Sequence, residues 1–103
     1  MQYSDLALHF AKFPRNVHTV PTDGRMPRWF WVSAEQGKIY VSSGTTSDLN
    51  SNIHGRRLLN EDELETMLTL YQRRKRGEAV SVVASRTTQN QVYWYGIFAD
   101  LCM

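Results

Sequence analysis

One cysteine, three histidines and no long apolar run in 103 residues set the first limits on this chain. Cys102 has no intrachain partner for a disulfide, and one Cys with scattered His9, His18 and His54 cannot assemble a structural zinc site, so neither a metal nor a cofactor is expected. Such cysteine usage fits a reducing compartment. Nothing approaches the roughly 20 apolar residues of a membrane span, and the opening MQYSDLALHFAKFPR lacks the charged and apolar regions of an export signal. The expected location is cytoplasmic, with no membrane partner. Charge of one sign is missing too: residues 1 to 55 hold five basic and four acidic side chains and residues 56 to 103 hold seven and six, for a net charge of +2. Any electrostatic recognition must therefore be local.

Catalytic signatures are also lacking. The histidines have neither metal-ligand spacing nor a neighbouring nucleophile pattern. Ser42-Ser43-Gly44-Thr45-Thr46-Ser47 lacks the spacing of a phosphate-cradling loop, and Cys102 has no basic neighbour to lower its thiol pKa. The leaning is towards a non-enzymatic protein.

The length and the 42% hydrophobic content suit a single domain over residues 1 to 103. Ser4 followed by DLALHFAKF reads as a short N-terminal helix, capped by Ser4 and stopped by Pro14. All three prolines and the Asp23-Gly24 pair fall within residues 14 to 28, a loop with an extended piece at 16 to 20. RWFWVSAEQGKIYVSSG then holds two β-branched and aromatic runs around Gln36-Gly37. A two-residue turn there pairs Glu35 with Lys38, Ala34 with Ile39, Ser33 with Tyr40, Val32 with Val41 and Trp31 with Ser42. Residues 45 to 57 are polar and read as a loop.

In LLNEDELETMLTLYQRRKRG, Asn60 and Glu63 suggest a capping box, and Leu59 and Leu64 a hydrophobic staple. Leu64, Met67, Leu68 and Tyr71 follow helical spacing, so a long helix is expected from 61 to 76. Acidic residues occupy its first turn and Arg73, Arg74, Lys75 and Arg76 its last, before a Gly77 suited to the left-handed position after a helix. That placement explains the basic run as a helix terminus, without a phosphate ligand. EAVSVVASRTTQNQVYWYGIFADLCM reads as a second hairpin turning at Gln89-Asn90, with Val80, Val82, Ala84, Tyr95, Ile97 and Ala99 on one face.

The expected architecture is α+β: an antiparallel sheet of four to five strands from two hairpins, one long helix packed on one face, and a short N-terminal helix. Alternation puts Phe30, Val32, Ala34, Ile39 and Val41 on that covered face. Trp29, Trp31, Tyr40, Val83, Trp94 and Phe98 fall on the other, among small residues. Each aromatic ring buries on the order of 150–250 Å² when covered, so something must cover this second face. The candidates are the N-terminal helix through Leu6, Phe10 and Phe13, the loop from 45 to 57, and a second copy of the chain; a ligand pocket floored by tryptophan is the remaining reading.

The segment GRRLLNEDELETMLTLYQRRKRGEAVSVVASRTTQNQVYWYGIF resembles small hypothetical proteins encoded by mobile gene cassettes of integrons, in which a capped helix with a basic end leads to a terminal hairpin. The resemblance covers about residues 55 to 99. It implies a small α+β domain, often oligomeric, in a bacterial accessory setting without assigned activity, and it carries over no functional residues.

The functional expectation is a binding or accessory protein that self-associates, as a homodimer, through the aromatic sheet face and meets a further protein or small ligand. The candidate contacts are Trp29, Trp31, Tyr40, Trp94 and Phe98, with Arg56, Arg57 and Arg86 for anions and His54 beside them in its loop. One alternative is a nucleic-acid module that stacks bases on the aromatics and holds phosphates with the arginines. Another is a pocket for a small molecule or anion.

Overall fold

The computed structural model describes residues 1–103. Helix α1 (Tyr3–Lys12) leads into strands β1 (Arg15–His18), β2 (Trp29–Glu35), β3 (Lys38–Ser43) and β4 (Arg56–Leu59). A 3-10 turn (Glu61–Glu63) then opens helix α2 (Leu64–Lys75), followed by α3 (Ser81–Thr87) and α4 (Gln91–Asp100). The architecture is α+β, with an antiparallel sheet in the order β1-β2-β3-β4.

The central hairpin has the expected register in every pair from Glu35 with Lys38 to Trp31 with Ser42. Its turn works because Gln36 and Gly37 both adopt positive φ, 52° and 75°, the backbone that matches the twist of adjoining strands. The extended piece after Pro14 becomes β1, and the segment read as a loop from 45 to 57 yields β4 at its end.

The second hairpin does not exist. Its two arms are α3 and α4, so Val80, Val82, Ala84, Tyr95 and Ile97 form no strand face. The burial pattern shows why: Val80, Ala84 and Thr88 are buried at a spacing of four, while Val82 and Val83 stand in solvent. Between the two helices, the Thr88 hydroxyl accepts the Asn90 N–H, and the Asn90 carbonyl accepts the N–H groups of Tyr93 and Trp94. In α4 every residue from Tyr93 to Phe98 is buried. A helix apolar all round has to lie inside the core, and a continuous apolar run carries no period to distinguish it from a buried strand. The terminal hairpin implied by the integron-cassette resemblance is absent for the same reason.

Helices α1 and α4 lie on the sheet, and α2 packs mainly against α4. The expected long helix packed on one face is thus a 3-10 turn plus α2, held chiefly by another helix. Its buried residues are Leu64, Met67, Leu70 and Tyr71, with Leu68 only half-buried. The Asn60 side chain makes no cap; its carbonyl accepts the Glu63 N–H instead. Likewise α1 starts at Tyr3, with Asp5 accepting the Gln2 N–H, and Ser4 is inside the helix.

Two of the contacts that join the layers leave no freedom in residue choice. At Gly96, an added Cβ would stand 2.7 Å from the His18 carbonyl oxygen and 3.0 Å from the Phe30 ring, so only glycine lets α4 approach β1 and β2 this closely. At the other end, the Tyr3 hydroxyl donates to the Leu59 carbonyl at 2.5 Å and accepts the Ile39 N–H at 2.8 Å, tying α1 to the paired ends of β3 and β4.

Gly96→Ala should lower stability despite the roughly 1 kcal/mol that alanine gains over glycine within a helix, because overpacking costs about 1–3 kcal/mol. Tyr3→Phe should cost about 1–3 kcal/mol by leaving a buried N–H and a buried carbonyl without their shared partner. Urea denaturation midpoints at unchanged m-value check both.

Candidate functional site

The sheet has a covered face and an open one. Phe30, Val32, Ile39 and Val41 point into the core, where α1 contributes Leu6 and Phe10 and α4 contributes Trp94 and Phe98. Alternation sends Trp29, Trp31, Ser33, Tyr40, Ser42 and Leu58 to the other side, and all six are half-buried. No helix lies over them. The loop after β3 reaches this face chiefly near Trp29 and Trp31. Trp29 donates its N–H to the Leu49 carbonyl and accepts the Ser51 N–H, while Asn16, the partner of Trp31 in β1, exchanges two hydrogen bonds with Thr45. Gly44 permits that turn, since a Cβ there would strike the Trp29 carbonyl oxygen at 2.3 Å. His18 meets Trp29 edge to face at 5.0 Å. At the other end Arg56 lies 3.8 Å over the Tyr40 ring and forms an ion pair with Glu35 at 3.0 Å.

Two of the five expected contact aromatics are elsewhere. Trp94 and Phe98 belong to α4, stacked on each other at 5.7 Å and fully buried, because their segment is helical. The Trp94 indole reaches Glu63 Oε1 at 3.4 Å. Nor does the N-terminal helix cover the open face; Leu6 and Phe10 are in the core on the opposite side, and Phe13 is exposed.

The expected anion residues do not converge either. Arg56 and Arg57 are neighbours in one strand and so point to opposite faces. Arg57 turns to the core side, donates to Asn90 Oδ1 at 3.2 Å and lies 5.8 Å from the Tyr93 ring, which fastens β4 to the start of α4. Arg86 is exposed on α3, and His54 is exposed before Gly55.

The basic run ends α2 as its sequence position suggests. Gly77 has φ of 87°, its N–H donates to the Arg74 carbonyl, and the Glu78 N–H donates to the Arg73 carbonyl, a Schellman closure. Arg73 and Arg76 clasp the Glu78 carboxylate at 2.9 and 3.2 Å, which holds its pKa below the ordinary carboxylate value. Lys75 Nζ donates to the Met103 carbonyl at 2.7 Å.

Arg74 is different. Its guanidinium donates to the Val20 carbonyl and lies 4.7 Å over the Tyr95 ring, on the wall of a groove between the loop after β1, the end of α2 and the start of α4. The groove consists of two adjoining cavities of about 500 and 330 Å³ that share Pro21, Arg25, Arg74, Val92 and Tyr95. Arg28, Met26 and Leu49 line the larger one. Sequence reasoning missed this site. The one available signal was Arg25 and Arg28 within the proline-rich loop, and nothing local ties that loop to residues 74 or 95.

No family model matches this chain, and neither curated proteins nor solved structures provide a match. No helix is long and apolar enough to cross a membrane.

Burial raises the pKa of both Tyr3 and Tyr95 above 10.0, opposed at Tyr3 by the Ile39 N–H and at Tyr95 by the Arg74 guanidinium. The native chain therefore keeps protons that the unfolded chain loses above that pH. Stability linked to these two tyrosines should be constant below pH 10.0 and fall as pH rises beyond it towards their native pKa values. Urea midpoints across the alkaline range check the slope, and Tyr3→Phe should reduce it.

Proposed function

We propose that this chain is a binding protein that self-associates, and that its open sheet face takes a second copy of itself. The observation that carries this reading is the half-buried cluster of Trp29, Trp31, Tyr40 and Leu58, which no helix covers and polar residues edge. An aromatic centre with a polar rim is the composition of a protein interface. The charged residues on this face nearly balance, with Lys38 and Arg56 against Glu35, so two copies meet without strong like-charge repulsion.

The size of the face sets the strength. Four strands about 4.8 Å apart, around a seven-residue central strand rising about 3.3 Å per residue, make a patch of roughly 20 Å by 20 Å. Two such patches cover roughly 800 Å² in projection, below the roughly 1,200 Å² where stable specific interfaces begin and in the range of weak, transient ones. The dimer should therefore be reversible on dilution. With Trp94 and Phe98 in the core, the apolar driving force is also smaller than five aromatics would supply.

The nucleic-acid alternative is weaker, because the arginines do not gather beside the aromatics. Only Arg56 shares the face, and Glu35 already engages it. The lone Cys102 thiol suits a reducing cytoplasm. A small-ligand role has its best support away from this face, in the groove.

Light scattering should give a dimer mass at high protein concentration that falls towards the monomer mass on dilution. Trp31→Glu, a charge placed at the middle of the face, should weaken association at least about tenfold, with the far-ultraviolet spectrum unchanged. A monomer at every concentration, or a dimer untouched by Trp31→Glu, would exclude this reading. Oligonucleotide binding at low salt that Trp31→Ala abolishes would favour the nucleic-acid alternative.

A further inference from the structure

We infer that the groove between the loop after β1, the end of α2 and α4 is a binding site for a small amphipathic carboxylate, with its acid group at Arg28, Arg74 and Tyr95 and its apolar body against Met26, Leu49 and Val92. This site is independent of the sheet-face association and uses neither Trp31 nor Tyr40.

Charge comes first. Of the three arginines lining the larger cavity, Arg25 pairs with Asp23 at 2.7 Å, whereas Arg28 and Arg74 form no ion pair. Glu78, the other carboxylate at this end of the groove, is occupied by Arg73 and Arg76. Two guanidiniums without carboxylates in one concave site attract an anion, and a guanidinium fork matches the two oxygens of a carboxylate.

Tyr95 supplies an independent observation. It is 7% exposed and lines both cavities, yet its hydroxyl is buried without a hydrogen-bond partner. Such a group is destabilising unless something satisfies it. A tyrosine hydroxyl is protonated at neutral pH, and burial raises the Tyr95 pKa further, so the group in want of a partner is a donor. An acceptor oxygen held by the neighbouring Arg74 is the natural complement.

The apolar part of the ligand follows from the rim. Met26, Leu49 and Val92 line the larger cavity and are 68%, 41% and 45% exposed. Large apolar side chains lining one cavity with two guanidiniums that lack carboxylate partners favour an acid with a hydrocarbon body over a fully polar anion. The cavity of about 500 Å³ lies within the range of small-ligand pockets.

The test uses the full chain and three probes, octanoate, octanol and inorganic phosphate, followed by amide chemical shifts. Octanoate should shift Val20, Met26, Val92 and Tyr95 together, with octanol and phosphate each at least about tenfold weaker. Arg28→Gln and Tyr95→Phe should each weaken octanoate about fivefold or more, while Tyr95→Phe leaves the melting temperature of the free protein unchanged or higher. That combination separates a ligand contact from a structural role. Absence of groove shifts at about 10 mM octanoate overturns the inference, as does octanol or phosphate binding as tightly as octanoate. Unchanged octanoate affinity in either variant, or a melting temperature lowered by Tyr95→Phe, also overturns it.

Discussion

A helix without a polar face governs this fold. From Tyr93 to Phe98 every side chain of α4 is buried, so the helix needs protein on all sides. The sheet provides one wall, where Gly96 lets the helix backbone come against the His18 carbonyl and the Phe30 ring. Helix α2 provides another, with Tyr71 5.5 Å from Phe98 and 5.9 Å from Tyr95. α1 brings Leu6, Ala7 and Phe10 into the same apolar cluster. Once the helices have gathered around α4 on one side of the sheet, none is left for the other.

The open face is a consequence of that allocation. In a 103-residue chain the apolar helical surface suffices for one layer over one face of a four-stranded sheet. Trp29, Trp31 and Tyr40 are left half-buried, partly sheltered by the Asn16–Thr45 hydrogen bonds and by the Arg56 guanidinium. A face of this kind is tolerable in a monomer and useful in a complex.

The basic end of α2 divides its labour in a related way. Arg73 and Arg76 close the helix through Glu78, and Lys75 reaches the last residue of the chain. Arg74 projects from the same turn over the start of α4 and meets the loop that returns from β1. A run that neutralises a helix terminus thus also supplies one cation to a groove, because successive helix residues point in directions about 100° apart.

What the sequence determined by itself was local. The Gln36-Gly37 turn fixed the hairpin and its register, and with them which of Phe30, Trp31, Val32, Tyr40 and Val41 share a face. Gly77 and the charges before it fixed the end of α2. Those readings rest on neighbours a few residues apart, where turn geometry and the helix dipole act. The segment from 80 to 98 has the local marks of strands, because its β-branched and aromatic residues have strand propensity and its apolar run has no period. Only packing against α2 and the sheet made it helical, and that moved Trp94 and Phe98 from the expected binding face into the core. The edge strand β4 separated Arg56 from Arg57 by the pleat, and only its position beside β3 showed which arginine faces which side. The groove belongs wholly to the tertiary level: it joins residues near 20, 28, 49, 74 and 95, and an approach between positions that far apart is decided by how the core closes, which no local pattern records.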